Sequence, residues 1–166
     1  MEYILIGKIV STHGIKGEIK IISNFEYKDR VFIKDNYLYI GNKKEEKKIN
    51  TYRKHKTYDM VTFSEYNNIN QVLPFLKENV YIKKESLNLN NNDFLDIDLI
   101  GLSVIINGKI IGTVKSIRYA SKTNKLIDIA TNNKSVSIPY HKDFIKSVNL
   151  EDKTIEFNLI EGLIWR

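Results

Sequence analysis

The 166-residue sequence predicts a mostly β chain, folded as two small β-barrels in tandem with one short helix in the first. Three observations predict it. Short runs rich in Ile, Val, Tyr and Thr recur at regular spacing, Gly, Asn, Asp and Lys punctuate them, and a polar stretch divides the chain near its middle. Two cores of about 80 residues each can fold, though only marginally. A hydrophobic fraction of 42% beside 28% charged residues is globular rather than disordered.

In the first half the strand runs are Tyr3–Val10, Glu18–Ser23, Tyr37–Ile40, Lys48–Arg53, Asp59–Phe63 and Val80–Lys83. A helical stretch from Ile69 to Lys77 interrupts them, with Asn68 as N-cap and Val72, Phe75 and Leu76 as its apolar face. Pro74 lies inside it, where proline removes a hydrogen bond and clashes with the preceding turn. The segment is therefore expected to be short, kinked or partly 3₁₀.

From Ser86 to Asp93 the composition turns polar and turn-forming, with little to bury. The expected organisation is a first barrel over 1–85, a linker over 86–97 and a second barrel over 98–166. The second half offers strands at Ser103–Ile106, Lys109–Arg118, Leu126–Ala130, Ser135–Ile138 and Thr154–Phe157. Asn107-Gly108 between apolar runs signals a two-residue hairpin, because both central positions of such a turn need positive φ. Asn132-Asn133 predicts a second turn. Phe144, Ile145 and Val148 have near-helical spacing and read as core, whereas Tyr140 is expected to be exposed.

The formal charge of +6 is unevenly spread. Residues 1–85 hold 16 Lys+Arg against 11 Asp+Glu, and residues 86–166 hold 10 against 9. The densest part contains Lys43, Lys44, Lys47, Lys48, Arg53, Lys54 and Lys56. Such a field attracts phosphate backbones, although a solvated hairpin in a lysine-rich chain has the same composition. The chain has no cysteine, which excludes disulfides, thiolate metal sites and cysteine nucleophiles. Its N-terminus lacks a signal peptide's basic and apolar regions, and no apolar run approaches the ~18 residues of a bilayer span. The expectation is a soluble cytoplasmic protein.

Catalysis finds little support. His13, His55 and His141 are far apart in sequence and none has a metal-ligand spacing. His141-x-Asp143 could orient an imidazole, but no Gly-x-Ser-x-Gly elbow accompanies it. Gly7-Lys8 lacks both the earlier glycine and the following Ser or Thr of a phosphate loop, and no G-x-G-x-x-G opens a helix. No enzyme activity, metal, cofactor or small-molecule substrate is expected.

The most distinctive segment is Thr12-His13-Gly14-Ile15-Lys16-Gly17-Glu18, where two glycines turn the chain sharply and present His13 and Lys16 outward. An ordinary hairpin with an incidental cation is the plain alternative. Arg53-Lys54-His55-Lys56 suits phosphate contact and an exposed turn equally. The candidate RNA contacts are His13, Lys16, Lys43, Lys44, Lys47, Lys48, Arg53, His55 and Lys56. Candidates for contact with a protein are Phe94, Leu95, Tyr119, Tyr140 and His141.

The run Gly7-Lys8-Ile9-Val10-x-Thr12-His13-Gly14-Ile15-Lys16-Gly17-Glu18 resembles the opening signature of the ribosome maturation factor RimM family. The likeness continues through Arg53-x-His55-Lys56, Val61-Thr62-Phe63 and Val80-Tyr81-Ile82. It resumes at Asp98-Leu99-Ile100-Gly101-Leu102, Ile111-Gly112-Thr113-Val114, Ile138-Pro139, Phe144-Ile145-x-x-Val148 and Glu161-Gly162-Leu163. The resemblance implies a six-stranded barrel like those of translation factors, followed by a barrel of the photosynthetic-reaction-centre type, the PRC barrel. It also implies association with free small ribosomal subunits, maturation of the subunit head and its 16S ribosomal RNA, and binding of the head protein uS-nineteen. The sequence departs from the family where Phe94, Leu95 and Asp96 stand in place of two tyrosines and a tryptophan. It also departs at Tyr119–Asn124, which is richer in lysine than usual. The competing expectation is a general RNA-binding module that relies on charge without a specific protein partner.

Overall fold

The computed structural model describes residues 2–90, 93–121 and 124–158, grouped in two compact units, Met1–Asn88 and Leu89–Arg166. Asn91, Asn92, Lys122, Thr123 and the closing Glu161-Gly162-Leu163 lie outside the described residues.

The first unit contains β1 (Tyr3–His13), β2 (Glu18–Ile22), β3 (Tyr37–Ile40), β4 (Glu45–His55), β5 (Tyr58–Phe63) and β6 (Asn79–Lys83). These close into a barrel in the order β1-β2-β5-β4-β3-β6. Alternation fixes which side chains enter it: Ile19 and Ile21 on β2, Leu38 and Ile40 on β3, and Val80 and Ile82 on β6 are all buried. The long β1 serves two neighbours because bulges between Leu5 and Gly7 and between Ile9 and Ser11 re-aim it. Gly7 has no room for a side chain, since a Cβ there would sit 2.6 Å from the Ile22 carbonyl oxygen.

Two short helices cap this barrel. Helix α1 (Lys28–Val31), which strand reasoning missed, buries Val31 and carries Lys28 to within 2.8 Å of the buried Asp59 carboxylate. Helix α2 (Ile69–Val72) has the expected Asn68 cap. The Gln71 backbone N–H donates to Asn68 Oδ1 at 3.3 Å, and Gln71 Oε1 accepts from the Asn68 N–H at 3.2 Å. Pro74 then converts the next turn to 3₁₀ over Leu73–Phe75, with Val72 and Phe75 buried.

The second unit begins with α3 (Asp96–Leu99), followed by β7 (Ser103–Ile106), β8 (Lys109–Tyr119), β9 (Lys125–Ala130), β10 (Ser135–Pro139), β11 (Ile145–Asn149) and β12 (Thr154–Phe157). They form a six-stranded sheet ordered β10-β9-β8-β7-β12-β11, in which β12 and β7 run parallel. Ile138 from one edge strand and Ile145 and Val148 from the other pack into a single cluster with Val104, Ile127 and Phe157. A sheet whose two edges share one core must be rolled. Asn107 and Gly108 have φ of 52° and 76°, as their hairpin requires.

One reading needs refining. Ile145 and Val148 pack on the core as expected, but the element that puts them there is a strand, not the helix their near-helical spacing resembles. A register shift between Ile145 and Ser147 puts Ile145 opposite Phe157 and Val148 opposite Ile155, so both face inward. The stretch expected as a linker also buries more than its composition suggests, because Leu87 and Leu95 are both buried.

Candidate nucleic-acid interface

On the outer face of the first barrel, Met60 pairs across the strands with Lys20 on one side and Arg53 on the other. Direct partners in a ladder share a face, so the two cations flank the fully buried methionine and hold their charges at its rim. His13 pairs with Glu18 beside them, and the His13 and His55 rings lie 5.8 Å apart between centroids. Residues from both ends of the first half, His13, Lys20, Arg53 and His55, therefore meet on one wall. Lys20 escaped sequence reasoning although its signal was present, for it alternates with Ile19 and Ile21 on a half-buried strand.

Arg53 is less available than its sequence neighbourhood suggested. Its Nε and Nη2 donate to the two Glu18 oxygens at 3.0 and 2.7 Å. This hydrogen bond, ahead of the opposing cost of burial, holds the Glu18 carboxyl below its ordinary range, and the Arg53 guanidinium is correspondingly raised. Loss of surrounding water, then Arg53, Lys56, His13 and Lys20, push the His55 imidazolium below its ordinary value. A phosphate there would reverse those repulsions.

The loop after β1 presents Ile15 at 75% exposure and Lys16 beside it. Gly14 and Gly17 have φ of 69° and 92°, and a Cβ on Gly17 would press within 3.3 Å of the Asn68 carbonyl oxygen. The Ile69 N–H donates to the Ile15 carbonyl at 2.9 Å, tying the loop to the start of α2. His13, Gly14, Ile15, Lys16, Glu18 and Thr62 line a shallow groove here.

The lysine run from Lys43 onward does not form one patch, which corrects the expectation of a single basic field. Lys43 is exposed, while Lys44, in the turn with φ of 54°, has Nζ 4.0 Å from the Tyr81 ring centre. Lys47 faces the barrel mouth, 5.1 Å from the Tyr66 ring and 3.8 Å from Glu45, and Lys48 is 3.7 Å from Asp35. Strand alternation on β4 sends neighbouring lysines to opposite sides. Only the exposed Lys56, in the turn after β4, stays beside His55.

In the second unit Leu95 is fully buried and cannot offer contact surface, which corrects that expectation. Phe94 is half-buried and packs on the core. Tyr140, expected to be exposed, is also half-buried, and its hydroxyl donates to Asp96 Oδ1 at 3.1 Å. Asp96 further pairs with Lys125, whose ammonium lies 5.2 Å from the Tyr119 ring and 5.5 Å from that of Tyr140. Tyr119 is 41% exposed, and His141 is exposed with Nδ1 3.3 Å from Asp143. On the strands behind them Asp128 accepts from Arg118 Nε at 2.8 Å, Ser116 at 2.8 Å and Ser137 at 2.5 Å. Arg118 first, then these hydroxyls, outweigh desolvation and lower its carboxyl to about 2. Among the described residues no group of His, Asp and Glu is arranged to hold a metal, and no helix is long and apolar enough to cross a membrane.

The profile of the RimM N-terminal domain matches residues 4–87, and that of the RimM PRC barrel domain matches residues 96–163. Among curated proteins, the ribosome maturation factor RimM of Finegoldia magna is 37% identical over 164 residues, covering 98% of this chain and all of its own length. The protein of the same name from Bacillus cereus is 33% identical over 165 residues, covering 96% of each chain. The solved N-terminal domain of RimM from Thermus thermophilus aligns with 54% of this chain and 98% of its own at 12% identity and a TM-score of 0.47.

Proposed function

Because this chain belongs to the RimM family, whose curated relatives are named ribosome maturation factors, we propose that it is a non-catalytic assembly factor for the small ribosomal subunit. It acts in the cytoplasm on free subunits, where it binds the head protein uS-nineteen and nearby 16S ribosomal RNA. The second unit meets the protein through Tyr119 and His141, with Phe94 and Tyr140 beneath them. The first barrel meets RNA phosphates through His13, Lys16, Lys20, His55 and Lys56. The observation that supports this most is the outer wall around Met60, where cations and two imidazoles from separate strands converge on one surface.

Such a factor works by preference. A ligand shifts a folding equilibrium only as far as it binds one state better than another, so preferential binding of a correctly folded head intermediate stabilises that intermediate, and no covalent step is needed. Sedimentation of lysate tests the reading: the chain is expected to travel with free small subunits and not with complete ribosomes. Purified protein is expected to retain both small-subunit precursor and uS-nineteen, and failure with both would end the proposal.

A further inference from the structure

The barrel wall made by β1, β6, β3 and β4 carries a second basic surface of a different kind. Tyr81 pairs across the ladder with both Leu5 and Tyr39, Tyr3 pairs with Lys83, and Tyr37 pairs with Lys48. Since Ile4, Leu38, Val80 and Ile82 occupy the interior, alternation puts these aromatic and lysine side chains together on the outside. Leu5 is 56% and Tyr37 43% exposed, while Tyr39 is buried edge-to-face against Tyr3 at 5.3 Å and acts as a base for the others. Lys44 lies 4.0 Å from the Tyr81 ring and 5.8 Å from that of Tyr3, and Lys83 lies 5.0 Å from that of Tyr39. Two carboxylates border the group: Glu46 accepts a hydrogen bond from the Tyr39 hydroxyl at 2.9 Å, and Asp35 lies 3.7 Å from the Lys48 ammonium, which must exchange that partner for a phosphate.

We infer that this wall binds an unpaired RNA segment, with bases stacked on Tyr81, Tyr3 and Tyr37 and phosphates held by Lys44, Lys48 and Lys83. Rings on a sheet offer flat faces that any base can cover, and neighbouring cations neutralise the backbone between successive bases. Lys44, resting over the Tyr81 and Tyr3 rings, marks those two faces as attractive to positive charge. Its flexible stem lets the ammonium group move to a phosphate when a base takes the ring. The Met60 wall differs in its balance, setting two imidazoles and a guanidinium beside one half-buried tyrosine, Tyr58, whose ring lies 5.2 Å from Lys20 Nζ, which suits phosphates of paired RNA better than a run of stacked bases. The barrel order separates the walls, for β6 and β3 close the side away from β2 and β5. The inference rests on the reading that the first barrel meets RNA, and adds which form of RNA each wall takes.

The test is fluorescence anisotropy of the full chain with a labelled oligouridylate of roughly ten nucleotides and with a duplex of equal length. Tyr81→Val and Tyr3→Val are expected to weaken single-strand binding about tenfold or more each while duplex binding stays within twofold, and Tyr81→Phe is expected to restore it. Arg53→Gln with His55→Gln should do the reverse. Single-strand affinity unchanged in both valine variants, or loss on both RNAs alike, overturns the inference. If the valine chains do not fold, crosslinking of thiouridine-bearing RNA to the wild-type chain decides. Adducts at Tyr3, Tyr37 or Tyr81 support the inference, and adducts confined to the Met60 wall refute it. Failure of the wild-type chain to retain subunit precursor would sink the assembly reading, whereas these variants bear on the stacking wall alone.

Discussion

Arg53 grips both carboxylate oxygens of Glu18, a residue 35 positions earlier in the chain, at 2.7 and 3.0 Å. The guanidinium is about half exposed and screened by solvent, so the pair contributes little to folding. Its larger effect is on charge, since a cation on the wall proposed to meet RNA is already neutralised.

Replacing Glu18 with Gln should therefore strengthen RNA binding while leaving stability almost unchanged. One freed charge at the surface is worth about 1 kcal/mol, or roughly fivefold in affinity at low salt. The log–log salt slope should steepen by roughly 0.7 to 0.9. Titrations of a ribosomal RNA fragment at two salt concentrations read both numbers, and an unchanged slope would mean that the wall does not touch phosphate.

The buried Asp59 accepts a hydrogen bond from the Tyr52 hydroxyl at 2.7 Å on one oxygen and forms an ion pair with the Lys28 ammonium at 2.8 Å through the other. Burial, then the bond to Asp59, pushes the Tyr52 phenol up to about 12 from 10.0. The unfolded chain gives up this proton first, so the stability it supplies is complete below pH 10 and falls between 10 and about 12. Tyr52→Phe should cost about 1–3 kcal/mol at neutral pH, because Asp59 stays buried with one donor fewer. Urea unfolding of the variant, paired with tyrosinate absorbance during alkaline titration of the wild type, checks both halves.

Asp128 behaves in the opposite sense. Its carboxyl is lowered from 3.8 to about 2, so its contribution is complete above 3.8 and is lost as the pH falls toward about 2. Asp128→Asn should cost about 1 kcal/mol at neutral pH once screening around the half-exposed Arg118 is allowed for. The acid limb of its stability profile should be flatter over that interval. Equal acid sensitivity in the two proteins, followed by circular dichroism across pH, would contradict the network.

Gly7→Ala would push a methyl group to within 2.6 Å of the Ile22 carbonyl oxygen, and backbone cannot swing aside as a flexible side chain can. The β1–β2 ladder must part there, with a loss of about 1–3 kcal/mol or more. A thermal melt of the variant within a degree or two of the wild type, beyond the roughly 4–8 °C expected per kcal/mol for a domain of this size, would refute the close approach.

The repeating elements of the fold were legible because they depend on short-range chemistry. Ile19 and Ile21 alternating with Lys20 identify a half-buried strand, Asn107-Gly108 specifies its own turn, and Pro74 cannot continue the interior of the helix that precedes it. What escaped detection depends on register between distant segments. The bulge before Ser147 that turns a three-residue spacing into a strand face is set by pairing with β12. The Glu18–Arg53 and Lys28–Asp59 pairs appear only when the barrel closes. The site was legible in the same uneven way. His13, Arg53, His55 and Lys56, named from separate stretches, fall on one wall, Lys20 was overlooked beside them, and the lysines before Ile49 were credited to a patch that alternation breaks apart.

The parallel pairing of β12 with β7 bears on how the protein is made. During synthesis the first barrel can close once Lys83 has emerged, since all six of its strands are then available. The second unit has only the run from β10 to β7 until Phe157 appears, and β11 has no neighbour to join before then. Until that moment β7 shows translation a bare edge, and the rolled core lacks Ile155 and Phe157. Joining strands so far apart in sequence is slow, so the nascent second unit spends that interval sticky and protease-sensitive while its companion has already matured.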